Sequence, residues 1–246
     1  MIRYITRLDR IPVLIMAVVI GIFALLTASE LAAQNQDGLV ASLSPYFAIL
    51  LAVGWAAPAP ARELESGSAT WAWSMGVTRR RWLLARVTPL LSTAIAGGLV
   101  IGGLVALTQR YWFPSMTEDR ITGPWLTAAM PVTVALAVFG VGLGTATALV
   151  TRKVVPAVGT TLIGQVAVIY AAPALGIALA PRTTSNGTRA VLGHVVGQDV
   201  VGGIPQITYV ANTAFWPIAW TLAAGLVVLG AALAGLALHR VARIDA

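Results

Sequence analysis

The sequence predicts an all-α fold: a polytopic membrane helix bundle of six transmembrane helices, with a short surface helix between the second and third. Three observations predict it. Hydrophobic residues make up 58% of the chain and charged residues only 10%, whereas soluble domains carry roughly 25% charged residues. The excess apolar surface is read as surface that meets lipid. The few charges punctuate the chain at wide intervals, and the positive ones crowd into alternate gaps.

Charge-free runs cover 19 residues between Arg10 and Glu30, 24 between Asp37 and Arg62, and 23 between Arg86 and Arg110. Three more cover 31 residues between Arg120 and Arg152, 28 between Lys153 and Arg182, and 40 between Asp199 and Arg240. A helix needs about 20 mostly apolar residues to cross the hydrocarbon core, so each run holds one span. The expected spans lie near 11–32, 42–61, 83–108, 125–151, 154–180 and 215–238. The runs lack the alternation of barrel strands, and backbone groups in lipid must be satisfied within the segment, so the elements are helices. Arg3, Arg7 and Arg10 resemble a basic leader, but 19 apolar residues exceed the usual 7–15 of a signal peptide. The first run is therefore expected to stay as a span.

Arginine sets the orientation. With six spans, one side carries Arg3, Arg7, Arg10, Arg62, Arg79, Arg80, Arg81, Arg86, Arg152, Lys153, Arg240 and Arg243, and the other Arg110, Arg120, Arg182 and Arg189. This bias of 12 to 4 places both termini in the cytoplasm. The net charge of +7 thus resides in short loops beside helix ends, and a nucleic-acid partner is not expected. Tryptophans agree with the map: Trp71, Trp73 and Trp82 fall at the inner boundary, Trp112, Trp125, Trp216 and Trp220 at the outer one. Arginine outnumbers lysine fifteen to one, a composition that fits GC-rich bacterial coding and hence a bacterial plasma membrane.

Absences narrow the function. Without cysteine, disulfides and thiolate metal sites are excluded. Lys153, the sole lysine, follows Arg152 rather than glycine, so no G-x-x-x-x-G-K-[ST] phosphate loop exists. His194 and His239 lie outside the middle of every span, and no aspartate lies within one, which leaves an intramembrane protease without its base or its paired acids. No catalytic residue, resident cofactor or metal site is expected. A proton-coupled transporter needs an ionisable group at membrane depth. Glu30 comes nearest, and is expected to be a solvated carboxylate at the outer end of the first span. If the chain transports, the energy comes from a partner.

Residues 61–86, ARELESGSATWAWSMGVTRRRWLLAR, are the most informative stretch. Pro58 and Pro60 are expected to stop or kink the second span. Glu63 and Glu65 follow where arginine would be the default. A short helix is expected over Ser68–Met75, with Trp71 and Met75 on one face, Gly76 ending it and Thr78 capping the next helix. Two readings of this element stand: a headgroup-anchored loop, or a knob that docks into a soluble partner. Elsewhere, Gly98/Gly102 and Gly140/Gly144 are G-x-x-x-G pairs that allow close helix approach. Pro173 is expected to break the fifth span near its outer part. Thr160, Thr161 and Gln165 are candidate substrate-path residues, with bonding to a neighbouring helix as the equal alternative. The outer loop before the last span is apolar at Val191, Leu192, Val195, Val196, Val200 and Val201, and is expected either to lie against the membrane or to pack as an ordinary loop.

The string from Ala61 to Val87 resembles the segment after the second span in ABC transporter permeases of the type-2 exporter class, especially actinobacterial members with R-E-x-E-x-G-T followed by W-x-x-G-V-[ST]-R-x-R-W. TRKVVPAVGTTL, between the fourth and fifth spans, and FWPIAW, at the start of the last, agree. The resemblance covers essentially the whole chain and implies a single transmembrane permease domain over 1–246. It implies that Glu63, Glu65, Gly67, Trp71 and Arg79, Arg80 and Arg81 belong to a coupling helix seated in a separate ATPase subunit, with Met75 on the same face as Trp71. It further implies ATP and Mg in that partner, a second permease chain, and export. The charge-poor interior points to an amphipathic or apolar substrate such as an antibiotic, peptide or lipid. Ser68 departs from the threonine, and Ala214 from the arginine, common at those positions. A channel or a structural membrane subunit without an ATPase is the alternative.

Overall fold

The computed structural model describes residues 10–33, 38–112, 121, 123–186, 193–201 and 204–243. Among them, six helices are long and apolar enough to cross a membrane: Ile15–Ala33, Leu39–Glu65, Arg79–Tyr111, Met130–Thr151, Val154–Leu179 and Asn212–Arg240. Each contains or overlaps one expected span. In chain order the helices are α1 (Arg10–Ala33), α2 (Leu39–Leu51), α3 (Pro58–Glu65), α4 (Ser68–Ser74), α5 (Arg79–Trp112), α6 (Gly123–Ala128), α7 (Met130–Thr151), α8 (Val154–Leu179) and α9 (Phe215–Arg243).

The centre of the bundle is α7, which packs against α2, α3, α5, α8 and α9. Two-thirds of its apolar window is buried, against half or less for every other span. The physical reason is its lack of bulk. Gly140 and Gly144 lie under the turn Ala52–Ala56, where ideal Cβ atoms would come within 3.0 Å of Ala52 Cβ and 2.9 Å of Ala56 Cβ. On the α5 side, Cβ atoms at Gly98 and Gly102 would approach the Cα atoms of Val134 and Met130 to 2.9 and 2.7 Å. Both G-x-x-x-G pairs therefore serve contacts within the chain. A Cβ at Gly142 would run into the carbonyl oxygen of Gly230 on α9. Without a hydrophobic drive between helices in lipid, such close backbone packing supplies much of the association.

Proline shapes three of the spans in ways that differ from expectation. The fourth span divides at Ala129, whose backbone is extended (φ −54°, ψ 132°), into α6 and α7. Pro131, in the first turn of α7, has no N–H to return, and the Thr133 hydroxyl donates instead to the carbonyls of Thr127 (3.4 Å) and Ala128 (3.1 Å). Side-chain substitution of this kind lets an interrupted helix sit in lipid. Pro173 does not break α8, which runs through it to Leu179. Pro58 and Pro60 do not end the second span either. Ahead of them the helix widens into a π-turn over Ala52–Ala56, in which the Ala57 N–H reaches back five residues to Ala52 O at 2.9 Å. The prolines then occupy the first turn of α3, where missing donors cost nothing, and the span continues to Glu65 rather than ending near 61.

Two further expectations change. Glu30 is not solvated: it is 6% exposed, and its Oε1 accepts the N–H of Val40 at 2.9 Å. The first turn of α2 offers unpaired N–H groups and the positive end of a dipole, and Glu30 fills that role, with Gly38 (φ 64°) immediately before the helix. The segment before the last span holds a three-stranded antiparallel sheet of β1 (Thr183–Asn186), β2 (Gly193–Val201) and β3 (Ile204–Ala211), in the order β1-β3-β2. Val195 and Thr183 both pair with Tyr209, and a bulge interrupts β2 between Val195 and Gly197. The valines read as an apolar loop are β-branched strand formers. Val191 and Leu192 lie outside the described residues. The sheet adds to the helical bundle and leaves its six-helix architecture unchanged.

Gly142 and Gly103 give a matched pair for testing this packing. Gly142→Ala forces a methyl against backbone and is expected to cost about 1–3 kcal/mol, while Gly103→Ala, with nothing within 4 Å of its Cβ, is expected to be neutral or stabilising by up to about 1 kcal/mol. Thermal unfolding of the two purified variants in the same detergent checks the contrast.

Candidate functional site

The candidate site is the elbow between the second and third spans, at the arginine-rich end of the bundle. It is built from two sharp turns and one short helix. Gly67 closes α3 in the left-handed region (φ 75°, ψ 0°) and at the same time precedes α4, its carbonyl accepting the Trp71 N–H at 3.1 Å. Gly76 (φ 85°) closes α4. Its N–H donates to Trp73 O at 3.0 Å, and that of Val77 to Ala72 O at 3.3 Å, the paired bonds of a Schellman stop. The Thr78 hydroxyl then accepts the Arg81 N–H at 3.3 Å, so α5 starts from a side-chain cap. The expected helix, its glycine stop and its threonine cap are all present, with α4 ending one residue short of Met75.

Beneath α4 lies a small core of its own. Ala69, Trp82 and Leu83 are buried together, with Leu64, Trp73, Val87, Leu149 and Leu238 against them. Trp73 and Trp82 meet edge to face at 5.7 Å, and the Arg79 guanidinium lies 4.5 Å above the Trp73 ring. These contacts fix how α4 sits on the head of α5.

The two acidic residues point into the chain. Glu63 Oε2 accepts the Trp82 indole N–H at 2.7 Å, and its Oε1 pairs with Arg86 at 2.6 Å. Glu63 therefore ties α3 to α5 across the base of the elbow. Glu65, the last residue of α3, accepts the backbone N–H of Val154 at 2.9 Å. Val154 opens α8, so this carboxylate caps a helix 89 residues further along the chain. Arg62, Glu63, Glu65 and Ser66 line an open cleft of about 430 Å³. In the intervening link, α7 ends at Thr151, Arg152 takes a left-handed conformation (φ 52°) and Lys153 is extended.

The expected site residues thus divide. Glu63, Glu65 and Arg79 bind the elbow to the rest of the chain. Trp71 and Met75 face outward, 58% and 60% exposed, and Arg80, Arg81 and Gly67 are exposed with them. Trp73, Trp82, Arg86 and Val154 complete the arrangement. Trp73 and Trp82 had the signature of interfacial anchors, and Arg86 that of a positive-inside residue; nothing local in the sequence marks any of them as a partner of Glu63. Of the three candidate path residues, Gln165 is fully buried and its Nε2 donates to Leu136 O of α7 at 3.0 Å. Thr161 is fully buried too and shares a 2.7 Å hydrogen bond with Thr147 of α7. Thr160 is exposed and returns its hydroxyl to Pro156 O at 2.7 Å. The geometry gives Thr161 and Gln165 to the α7–α8 contact and leaves Thr160 on the outer face of α8. Among the described residues, no group of three or more His, Asp or Glu side chains is placed to hold a metal ion.

Glu63 carries a measurable share of this local order. Glu63→Ala leaves the Trp82 indole N–H, on a residue 5% exposed, without its acceptor, at a cost of about 1–3 kcal/mol. Glu63→Gln, which keeps an acceptor oxygen, is expected to recover part of the loss. The unfolding midpoints of the purified variants in detergent decide this.

Comparison with known proteins places this geometry in a family. No curated protein matches the sequence, and no solved structure does. Residues 23–176, more than half of the chain, match the family described as ABC-2 membrane transporter related. The match begins in α1, runs through the elbow and ends in α8. With six helices able to cross a membrane and this match reaching five of them and the elbow, the chain is a multi-pass membrane protein that belongs to the ABC-2 membrane transporter related family.

Proposed function

We propose that this chain is the membrane-spanning permease subunit of an ATP-binding cassette exporter, and that its elbow is the part driven by a separate cytosolic ATPase. Membrane subunits of this family generally work with such partners. The observation that carries the reading is the orientation of α4. A helix of seven residues is locked on three sides, by Gly67, by Gly76 and by the Trp73–Trp82–Arg79 cluster, and yet leaves Trp71 and Met75 bare. A free-standing loop has no need to be held so firmly. An element that passes force from one subunit to another does, because only a rigid element delivers a partner's displacement to the helices behind it.

In this reading both termini and the elbow are cytoplasmic, in a bacterial plasma membrane, as the arginine bias implies. ATP and Mg reside in the partner. Two permease chains, identical or related, work with two ATPase subunits, each chain contributing one domain over 1–246. ATP binding closes the ATPases, displaces the two elbows and alternates the access of the path between the membrane halves. Charged side chains are scarce within the spans, which suits an amphipathic or apolar cargo such as an antibiotic, peptide or lipid. Trp71, Met75, Arg80 and Arg81 form the docking face, and Gly67 sets its angle.

The test uses the outward-facing residues, since Glu63 and Glu65 are engaged with partners inside the chain. The chain is expressed with the genes beside its own and extracted in mild detergent, and the ATPase activity that co-purifies is measured. An ATP-hydrolysing subunit is expected with the unaltered chain. Trp71→Ala/Met75→Ala is expected to reduce its recovery at least about tenfold, the loss of an aromatic anchor and its neighbour at an interface, with an unchanged unfolding midpoint. Extraction of the unaltered chain without any ATPase sinks the proposal.

A further inference from the structure

The elbow touches the bundle at a second point that docking alone does not require. Glu65 reaches the first N–H of α8, and the two residues are 89 apart in sequence. Around this bond the contact between α3 and its neighbours is made of small side chains. Ala57, just ahead of α3, Ala61 of α3, Ala148 of α7 and Ala157 of α8 are all completely buried, with Val154 and Val158 partly buried beside them. Side chains this small let the helices lie close together and make no polar link between them. The carboxylate is the directional link across that surface. The link that precedes α8 has little slack. It is two residues long, with Arg152 in a conformation that L residues rarely adopt and Lys153 extended. A displacement of Val154 is therefore a displacement of the end of α8.

Resting on the exporter reading above, we propose that Glu65 is a positioning residue that carries the movement of the elbow into α8: its carboxylate, held on the Val154 N–H, makes the end of α8 follow α3. Glu63 fixes α3 to α5 through Trp82 and Arg86, so α3, α4 and the head of α5 form one body. Glu65 is the handle by which that body pulls a third helix. The bond itself is exposed and its carboxylate is on an exposed residue, so it can be made and released within a cycle without exposing a buried charge.

The donor can be deleted without touching the carboxylate. Val154 is the first residue of α8, where proline is well accommodated, and Lys153 already has the extended backbone (φ −134°, ψ 141°) favoured before proline. Val154→Pro thus removes the N–H while keeping a compact apolar side chain at this partly buried position. Because the chain has no cysteine, one introduced thiol can carry an environment-sensitive fluorophore. Leu179→Cys places it at the far end of α8, on a residue 77% exposed, and Leu107→Cys serves as a reference on α5, 57% exposed.

The experiment follows the change in emission when ATP and Mg are added to the complete complex with its ATPase. A change at Leu179→Cys is expected in the otherwise unaltered complex. Glu65→Ala and Val154→Pro are each expected to shrink it at least about fivefold, the double variant no further than either alone, and Glu65→Gln, which keeps an acceptor, only in part. The Val154→Pro complex is expected to retain its ATPase and its Leu107→Cys signal. A full response at Leu179→Cys in either single variant, additive losses in the double variant, or loss of the ATPase from Val154→Pro overturns the role of Glu65 and leaves the exporter reading standing. An unaltered complex that binds no ATPase, or shows no response at either label, overturns both.

Discussion

The bundle depends on how closely backbone can approach backbone along α7. In lipid, helices gain nothing from hiding apolar side chains from one another, so association rests on contact distance. Gly140, Gly142 and Gly144 leave that helix without bulk along the stretch where the Ala52–Ala56 turn and Gly230 of α9 lie against it. Gly98 and Gly102 do the same for α5 from the other side of the contact. α7 accordingly has most of its surface covered by the chain itself, while α1, α5, α8 and α9 keep most of theirs for lipid or for another subunit. A central helix so enclosed gives the other spans something fixed to move against.

Helix ends form the second organising theme. The first N–H groups of a helix have no partner within it, and in this chain two carboxylates supply one from elsewhere: Glu30 for α2 and Glu65 for α8. The two caps lie at opposite ends of the bundle. They make the Leu39–Glu65 span a strut, received by an acid at its start and presenting an acid at its finish. Glu30 is buried and Glu65 exposed, so the first is the more permanent fixture, consistent with the larger effect of partly buried charge at a helix terminus.

Much of this was legible from local chemistry. The charge-free runs located six spans because charge is excluded from hydrocarbon over a fixed thickness. Gly76 and Thr78 announced the end of α4 and the start of α5 because left-handed backbone and helix caps are properties of single residues. The rest hinged on partners distant in sequence. Glu63 and Glu65 stood out by sign, but their choice of Trp82, Arg86 and Val154 is set by how the helices pack. Glu30 looked solvated because the donor it needed lies in the next helix. The sheet before the last span was obscured because the bulge between Val195 and Gly197 breaks the two-residue alternation that marks a strand. Pro173 was read as a helix breaker, and Pro58 and Pro60 as stopping or kinking their span, by a rule that is relaxed where the surrounding helix can adjust.

The π-turn over Ala52–Ala56 has a consequence for phase. It takes in one residue more than an α-helix would between the same ends, and each residue of an α-helix turns the chain by about 100°. The faces of α2 and α3 are therefore out of step by that angle, and a helical wheel drawn across the whole span misassigns every side chain after Ala56. Glu63 reaches α5 and Glu65 reaches α8 only with this slip in place. Were the turn to relax to an α-helical path with α2 held still, both carboxylates would swing about a quarter-turn around the axis, and the elbow would leave its two moorings together.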